Sequence, residues 1–167
     1  MSIKNLINKE VQKKIEFYCT YQERSHKEVT EKLFKMGLKK NTIDEILSNL
    51  IQNNFLNEAR FANDYTSGKF RIKLWGKKRI KYGLKNHKVS DYNIQSALNQ
   101  IRDEDYEKTL NHLTKKILSS CKKENLNKKK MKVFTALKYR GWESELIYEE
   151  MRKIDKMCSR AGSFLFI

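Results

Sequence analysis

The chain contains no proline at all and only six glycines in 167 residues. Sandwiches and barrels need turn residues every few positions, so this scarcity argues against an all-β design and for helices. Cysteine is also scarce: Cys19, Cys121 and Cys158 lie far apart and form no CxxC pair. Three unpatterned thiols exclude a disulfide framework and fit a reducing cytoplasm, where the protein is expected to reside. No apolar run approaches the ~20 residues of a membrane span, and the start lacks a secretory-signal pattern, so no membrane partner is expected. The signatures of catalysis are missing too. Neither GxxxxGK[ST] nor GxGxxG occurs, and His26, His87 and His112 have no metal-ligand spacing to a cysteine or carboxylate pair. Asp103, Glu104 and Asp105 are adjacent, so they cannot share one helix face and read as a helix cap or a linker rather than a metal site. No enzyme active site, cofactor or metal is expected.

Acidic residues are in deficit. Twenty Asp and Glu oppose 36 Lys and Arg, for a net charge of +16. A field of that sign attracts phosphate backbones, anionic lipid heads or acidic protein surfaces. The deficit is concentrated. From Tyr65 to Ser90 there is no acid, whereas Lys69, Arg71, Lys73, Lys77, Lys78, Arg79, Lys81, Lys85 and Lys88 occur there. Tyr65, Phe70, Trp75, Tyr82 and His87 are interleaved with them. Cations among aromatics suit a nucleic-acid surface, where charge follows phosphates and rings stack on bases. The same aromatics also fit a helical core. A second basic run, Lys115 to Lys132, contains Lys128, Lys129, Lys130 and Lys132 against Glu124 alone, and reads as a loop followed by a helix start.

The sequence also repeats itself. Leu33, Gly37, Leu38, Ile43, Ile46, Leu47 and Leu50 shifted by 51 become Leu84, Lys88, Val89, Ile94, Ala97, Leu98 and Ile101. Shifted by 104, they become Leu137, Gly141, Trp142, Ile147, Glu150, Met151 and Ile154. Val29, Ile80 and Val133 precede each set. The pattern describes a helix that stops at a left-handed residue, where glycine is favoured because it lacks a Cβ, followed by an apolar residue that packs back. Lys88 replaces the glycine in the second copy. It either accepts roughly 1 kcal/mol of left-handed strain or moves the stop to Asn86. Ser25 with Glu28 and Thr42 with Glu45 read as capping boxes, and Ser90 and Ser144 as caps. An earlier helix in each copy carries Val11, Ile15 and Tyr18; Phe61, Tyr65 and Phe70; and Leu110, Leu113 and Ile117. The expected fold is therefore all-α: three tandem three-helix repeats forming an elongated, curved array. The expected boundaries are 1–53 with an N-terminal extension, 54–102 as the most basic repeat, and 103–167 with a short C-terminal tail.

These residues resemble a known family. Arg60-Phe61-Ala62 with Tyr65, then Gly76, Arg79-Ile80, Leu84, Val89, Ile94 and Leu98, resemble the central repeat of the RecX regulatory proteins. Ser25, Glu28, Leu33, Gly37 and Leu38 resemble the first repeat, and Leu137, Gly141 and Trp142 the third. The likeness extends over roughly residues 11–155 and departs at Lys88, at the missing proline after Gly76, and at the tail Gly162-Ser163-Phe164-Leu165-Phe166-Ile167. It implies a modulator of the RecA recombinase that lies along the RecA filament on single-stranded DNA. Such a protein inhibits the filament's ATPase and strand exchange, alters its assembly during DNA repair, and acts as a monomer with or without direct DNA contact. Lys69, Arg71, Lys73, Lys77, Lys78, Arg79, Lys81 and Lys85 are the expected contact set, with Lys128, Lys129, Lys130 and Lys132 secondary. Two other readings stay open: a stand-alone helix-turn-helix DNA-binding protein, and an RNA- or ribosome-associated structural protein.

Overall fold

The structure, a computed structural model, describes residues 3–121 and 124–163, with side chains for 9–121 and 124–156. The apolar residues 164–167 lie outside the described residues, as does the Cys158 side chain. Among the described residues there are nine α-helices and no strand. They are α1 (Ile3–Tyr21), α2 (His26–Lys35), α3 (Lys40–Gln52), α4 (Glu58–Lys73), α5 (Lys77–Asn86), α6 (Asp91–Asn99), α7 (Asp103–Ser120), α8 (Leu126–Tyr139) and α9 (Ser144–Ser163).

The repeated stop has the same hydrogen bonds in all three copies. The N–H groups of Leu38, Val89 and Trp142 donate to the carbonyls of Leu33, Leu84 and Leu137 at 3.3, 3.2 and 3.2 Å. The residue before each donates three positions back: Gly37 to Phe34, Lys88 to Lys85 and Gly141 to Lys138, at 2.9, 2.9 and 3.0 Å. These paired bonds are the Schellman motif, which satisfies carbonyls that a helix end would otherwise orphan. Gly37, Lys88 and Gly141 have φ of 82°, 59° and 73°. Lys88 thus takes the left-handed conformation itself, and the stop does not move to Asn86. The hydrophobic back-contact fixes it there, because Leu84 is fully buried and Val89 nearly so.

Equivalent positions are buried alike. Val29, Ile80 and Val133 have no exposed surface, nor do Leu33, Leu84 and Leu137. Ile43, Ile94 and Ile147 are buried on the following helix of each copy. Caps are less regular. Ser25 and Glu28 form the expected box at the start of α2, and the Ser90 hydroxyl accepts from the Asn93 N–H at the start of α6. Thr42 and Glu45 do not cap α3: that helix begins one turn earlier, with Lys39 at the cap and no side-chain bond. Ser144 is not a cap either, because the Glu143 carbonyl already accepts from the Ile147 N–H and leaves Ser144 inside the first turn.

The chain forms two compact units. One draws on the chain up to Thr66 and on Gly83–Ala97; the other draws on Ser67–Tyr82 and on the chain from Leu98 onward. Each helix of the middle trio therefore contributes to both. The first unit packs Ile15, Cys19, Val29, Leu33, Ile43, Ile46, Leu50 and Leu56 together, with Tyr18 and Phe55 at the margin. Burial pushes the Cys19 thiol up to about 11, which keeps it protonated and unreactive. In the second unit the buried rings of Phe70, Tyr106 and Trp142 pack in succession, Phe70 tilted against Tyr106 at 5.8 Å and Tyr106 stacked on Trp142 at 4.4 Å between centroids.

Candidate nucleic-acid interface

The second unit contains most of the basic run, and its geometry is set by the link between α4 and α5. After Lys73 the backbone turns at Leu74, a non-glycine residue at φ 54°. The Leu74 carbonyl accepts from the Trp142 indole N–H at 3.2 Å. The N–H groups at the start of α5 are also taken: Gly76 donates to the Arg140 carbonyl at 2.8 Å, and Lys77 to the Tyr106 hydroxyl at 2.8 Å. The Tyr106 hydroxyl in turn donates to Glu143 at 2.7 Å. Burial, and then the Glu143 carboxylate, push this phenol far above its usual range, so it remains a donor. The start of α5 is thereby seated on the end of α8.

Seating brings Arg79 between two rings. Its guanidinium carbon lies 4.2 Å from the centroid of Trp75 and 4.3 Å from that of Tyr139. One of its nitrogens donates to the Tyr139 carbonyl at 2.6 Å. The Lys69 ammonium lies 5.2 Å from the centroid of the Trp75 ring. The result is a ladder of Lys69, Trp75, Arg79 and Tyr139 in which cations and rings attract through the ring quadrupoles. Tyr139 remains 71% exposed, leaving a free aromatic surface beside the charges.

The charges are placed at some cost to the helix. The first turn of α5 has no acid and carries Lys77, Lys78 and Arg79. Cations at a helix N-terminus oppose the macrodipole by roughly 0.3–1 kcal/mol each, so this arrangement concentrates positive potential at the expense of helix stability. Lys77 pairs with Asp103 at 3.4 Å, and Lys85, which belongs to the first unit, pairs with Asp91 at 3.4 Å. Arg71, Lys73, Lys78 and Lys81 are exposed and have no ion pair with a described residue. On α5, Lys78, Lys81, Tyr82 and Lys85 share the face opposite the buried Ile80 and Leu84.

The aromatics of the run divide by role. Phe70 is core, Trp75 is half-buried against Arg79, and Tyr82 is 68% exposed. Tyr65 and His87 pack with Phe61 in the first unit. Of the second basic run, Lys115–Ser120 belong to the end of α7, and the expected helix start is α8, capped by Asn125. Lys130 pairs with Asp155 and Lys132 with Glu124, while Lys128 is exposed and Lys129 half-buried. Lys128 lies about 16 Å along α8 from Tyr139, at 1.5 Å per residue. Tyr139, Arg140, Tyr106 and Glu143 carry no signal in the residue pattern, because their partners lie 29 or more positions away. The only hint is that Gly76 and Gly141 both stand at helix breaks. Among the described residues no group of three or more His, Cys, Asp or Glu is placed to hold a metal, and no helix is long and apolar enough to cross a membrane.

Comparison with known proteins places this arrangement. The family model described as the second three-helix domain of RecX matches residues 57–98, which span α4, α5 and nearly all of α6. The regulatory protein RecX of Listeria monocytogenes is 30% identical over 145 residues, covering 85% of this chain and 52% of that protein. That of Lactobacillus gasseri is 28% identical over 138 residues, covering 83% and 51%. The chain thus spans about half the length of these curated relatives. The crystal structure of RecX from Lactobacillus salivarius has the same fold, with a TM-score of 0.76 at 23% identity over 89% of this chain and 96% of that one. A second crystal structure of a regulatory protein RecX gives a TM-score of 0.77 at 20% identity, over 87% and 73%. With the middle trio matched by the family model and the relatives aligned across most of its length, these likenesses support a RecX family protein.

Proposed function

We propose that the chain binds the RecA filament on single-stranded DNA and inhibits its ATPase and strand exchange. In this reading the three repeats, 1–53, 54–102 and 103–167, form the scaffold and the second supplies the main contact. The observation that carries the reading is the acid-free stretch from Tyr65 to Ser90. Its exposed Arg71, Lys73, Lys78 and Lys81 have no ion pair with a described residue, and Arg79 of the same run lies over the exposed Tyr139 ring. A nucleoprotein filament is a polyanion with regular phosphate spacing, and unpaired cations on rigid helices meet it without first breaking internal ion pairs. Direct contact with the DNA phosphates is part of the proposal.

The test is the RecA ATPase rate on single-stranded DNA, titrated with this protein at moderate salt alongside a DNA-free control. Inhibition at or below one protein per RecA is expected. Inhibition only at levels that coat the DNA would point to nucleic acid as the sole partner and overturn the reading. Reversing Lys73, Lys78 and Lys81 to Glu should abolish inhibition with helicity unchanged. Lys77 is excluded from that set because a glutamate there would face Asp103. The salt dependence of binding should also flatten, by roughly 0.7 in log–log slope for each single-strand phosphate that is no longer neutralised.

A further inference from the structure

We propose that the outer face of α8, with the adjoining edge of α9, is a docking groove for an acidic amphipathic helix of a partner protein. The proposal does not depend on the reading of the α4–α5 basic face. Two apolar hollows of about 400 Å³ each flank Met131. One is lined by Asn127, Lys130, Met131, Phe134 and Met151, the other by Met131, Lys132, Thr135, Ala136 and Tyr139. Met131 is 65% exposed, and Tyr148, whose ring lies 6.1 Å from that of Phe134, is 57% exposed. Single exposed apolar side chains are ordinary, but a contiguous set on two helices marks an interaction surface.

The chemistry of the groove selects its occupant. No carboxylate lines either hollow, and the lysines lie along the same helix: Lys128, Lys129, Lys130, Lys132 and Lys138. Among the described residues, Glu124 and Asp155 pair with Lys132 and Lys130. Lys138 lies 5.8 Å over the Phe134 ring, with its charge at the groove edge. A complementary ligand is therefore apolar along one stripe and acidic on its flanks. Met131, Phe134 and Lys138 follow one helical stripe and Met131, Thr135 and Tyr139 the next, so a partner helix with anchors at i, i+3 or i+4, and i+7 matches the hollows. Unbranched methionine side chains adapt to such anchors, whereas stacked bases would need flat rings on both walls. A second copy of this chain would bring the same lysines against themselves across a two-fold interface, and like charges disfavour it.

The test uses the full chain and a fluorescein-labelled peptide of about 16 residues, with leucines at i, i+3, i+4 and i+7 and glutamates between, a length that supports helix formation on binding. Saturable binding by anisotropy at moderate salt is expected, weakened at least about tenfold by M131E, as for removal of a central anchor. Met131 is exposed, so M131E should leave the melting curve unchanged. K138E should weaken binding as well, and both a scrambled peptide and a lysine-for-glutamate peptide should bind much less. Equal binding by native and M131E chains, or equal binding of the scrambled or lysine peptide, would overturn the proposal. So would absence of binding, a Met131-dependent dimer in sedimentation, or Met131-dependent binding to phosphatidylserine vesicles in place of the peptide.

Discussion

Gly76 and Gly141 touch backbone to backbone. A Cβ built on Gly76 would stand 2.6 Å from the carbonyl carbon of Gly141, and one built on Gly141 would stand 2.6 Å from the Arg79 nitrogen. Neither position has room for a side chain, so α5 can begin where α8 ends.

The close approach predicts an order among glycine substitutions. At Gly37, φ is 82° but nothing lies within 4 Å of an added Cβ, so G37A should cost only about 1 kcal/mol of left-handed strain. G141A adds backbone collision to that strain and should cost more, about 2–4 kcal/mol when overpacking is included. G76A, which has the collision without the strain, should fall between. Chemical denaturation of the three variants checks the order, and a G76A as stable as the parent would contradict the close approach.

Lys88 is exposed and left-handed at φ 59°. K88G removes the Cβ penalty, partly offset by the greater freedom of glycine in the unfolded chain. A net gain of about 0.5–1 kcal/mol is expected, raising Tm by roughly 2–3 °C for a chain of this size. Calorimetry would reveal it; a fall in Tm would mean that the lysine side chain contributes something the backbone does not show.

Glu58 receives three hydrogen bonds, from the Ser90 N–H and hydroxyl and from the Asn93 amide. Burial alone would raise its pKa, but these bonds outweigh it and hold the carboxyl below the ordinary glutamate value. A depressed folded pKa means the stabilisation is present above the unfolded value and disappears as pH falls through the folded one. E58Q should therefore be less stable than the parent at pH 7 by about 1 kcal/mol, typical of removing a capping hydrogen bond. The gap should close as pH falls beneath the ordinary carboxylate range, where Glu58 becomes protonated in the folded chain as well. Denaturation at pH 7 and in acid tests this, and an undiminished gap in acid would contradict the assignment.

R79K keeps the charge and removes the planar fork held between Trp75 and Tyr139. Two ring contacts at about 0.5–1 kcal/mol each are at stake. Stability should drop by roughly 1 kcal/mol on that arithmetic, whereas K78R, at an exposed position without a ring, should have almost no effect. Equal melting of the two variants would show that the stack contributes nothing to stability.

The helices and their stops were legible because the stop is local: an apolar residue, a left-handed position four on, and an apolar residue next. That spacing survives even where Lys88 replaces glycine, since the buried pair Leu84 and Val89 holds the turn. Caps were less legible. A Thr-x-x-Glu pattern fits the interior of α3 as well as its start, and Lys39 has no side-chain acceptor to betray the true beginning. The site was half legible. Charge density along α4 and α5 marked the surface, but Arg79 meets Tyr139 only because α5 is seated on α8, and no local spacing encodes a pairing 60 residues apart.

The division of α4, α5 and α6 between two units has a consequence for how such a chain can lengthen or shorten. Excising residues 54–102 would remove part of each core at once, and a fragment ending at residue 102 would leave Phe70 without the Tyr106 ring it packs against. The viable module is a span from a point inside one helix to the equivalent point in the next copy. Crossovers within helices, in register with the 51-residue offset, would conserve both cores, whereas clean exchange of whole trios at their loops would not.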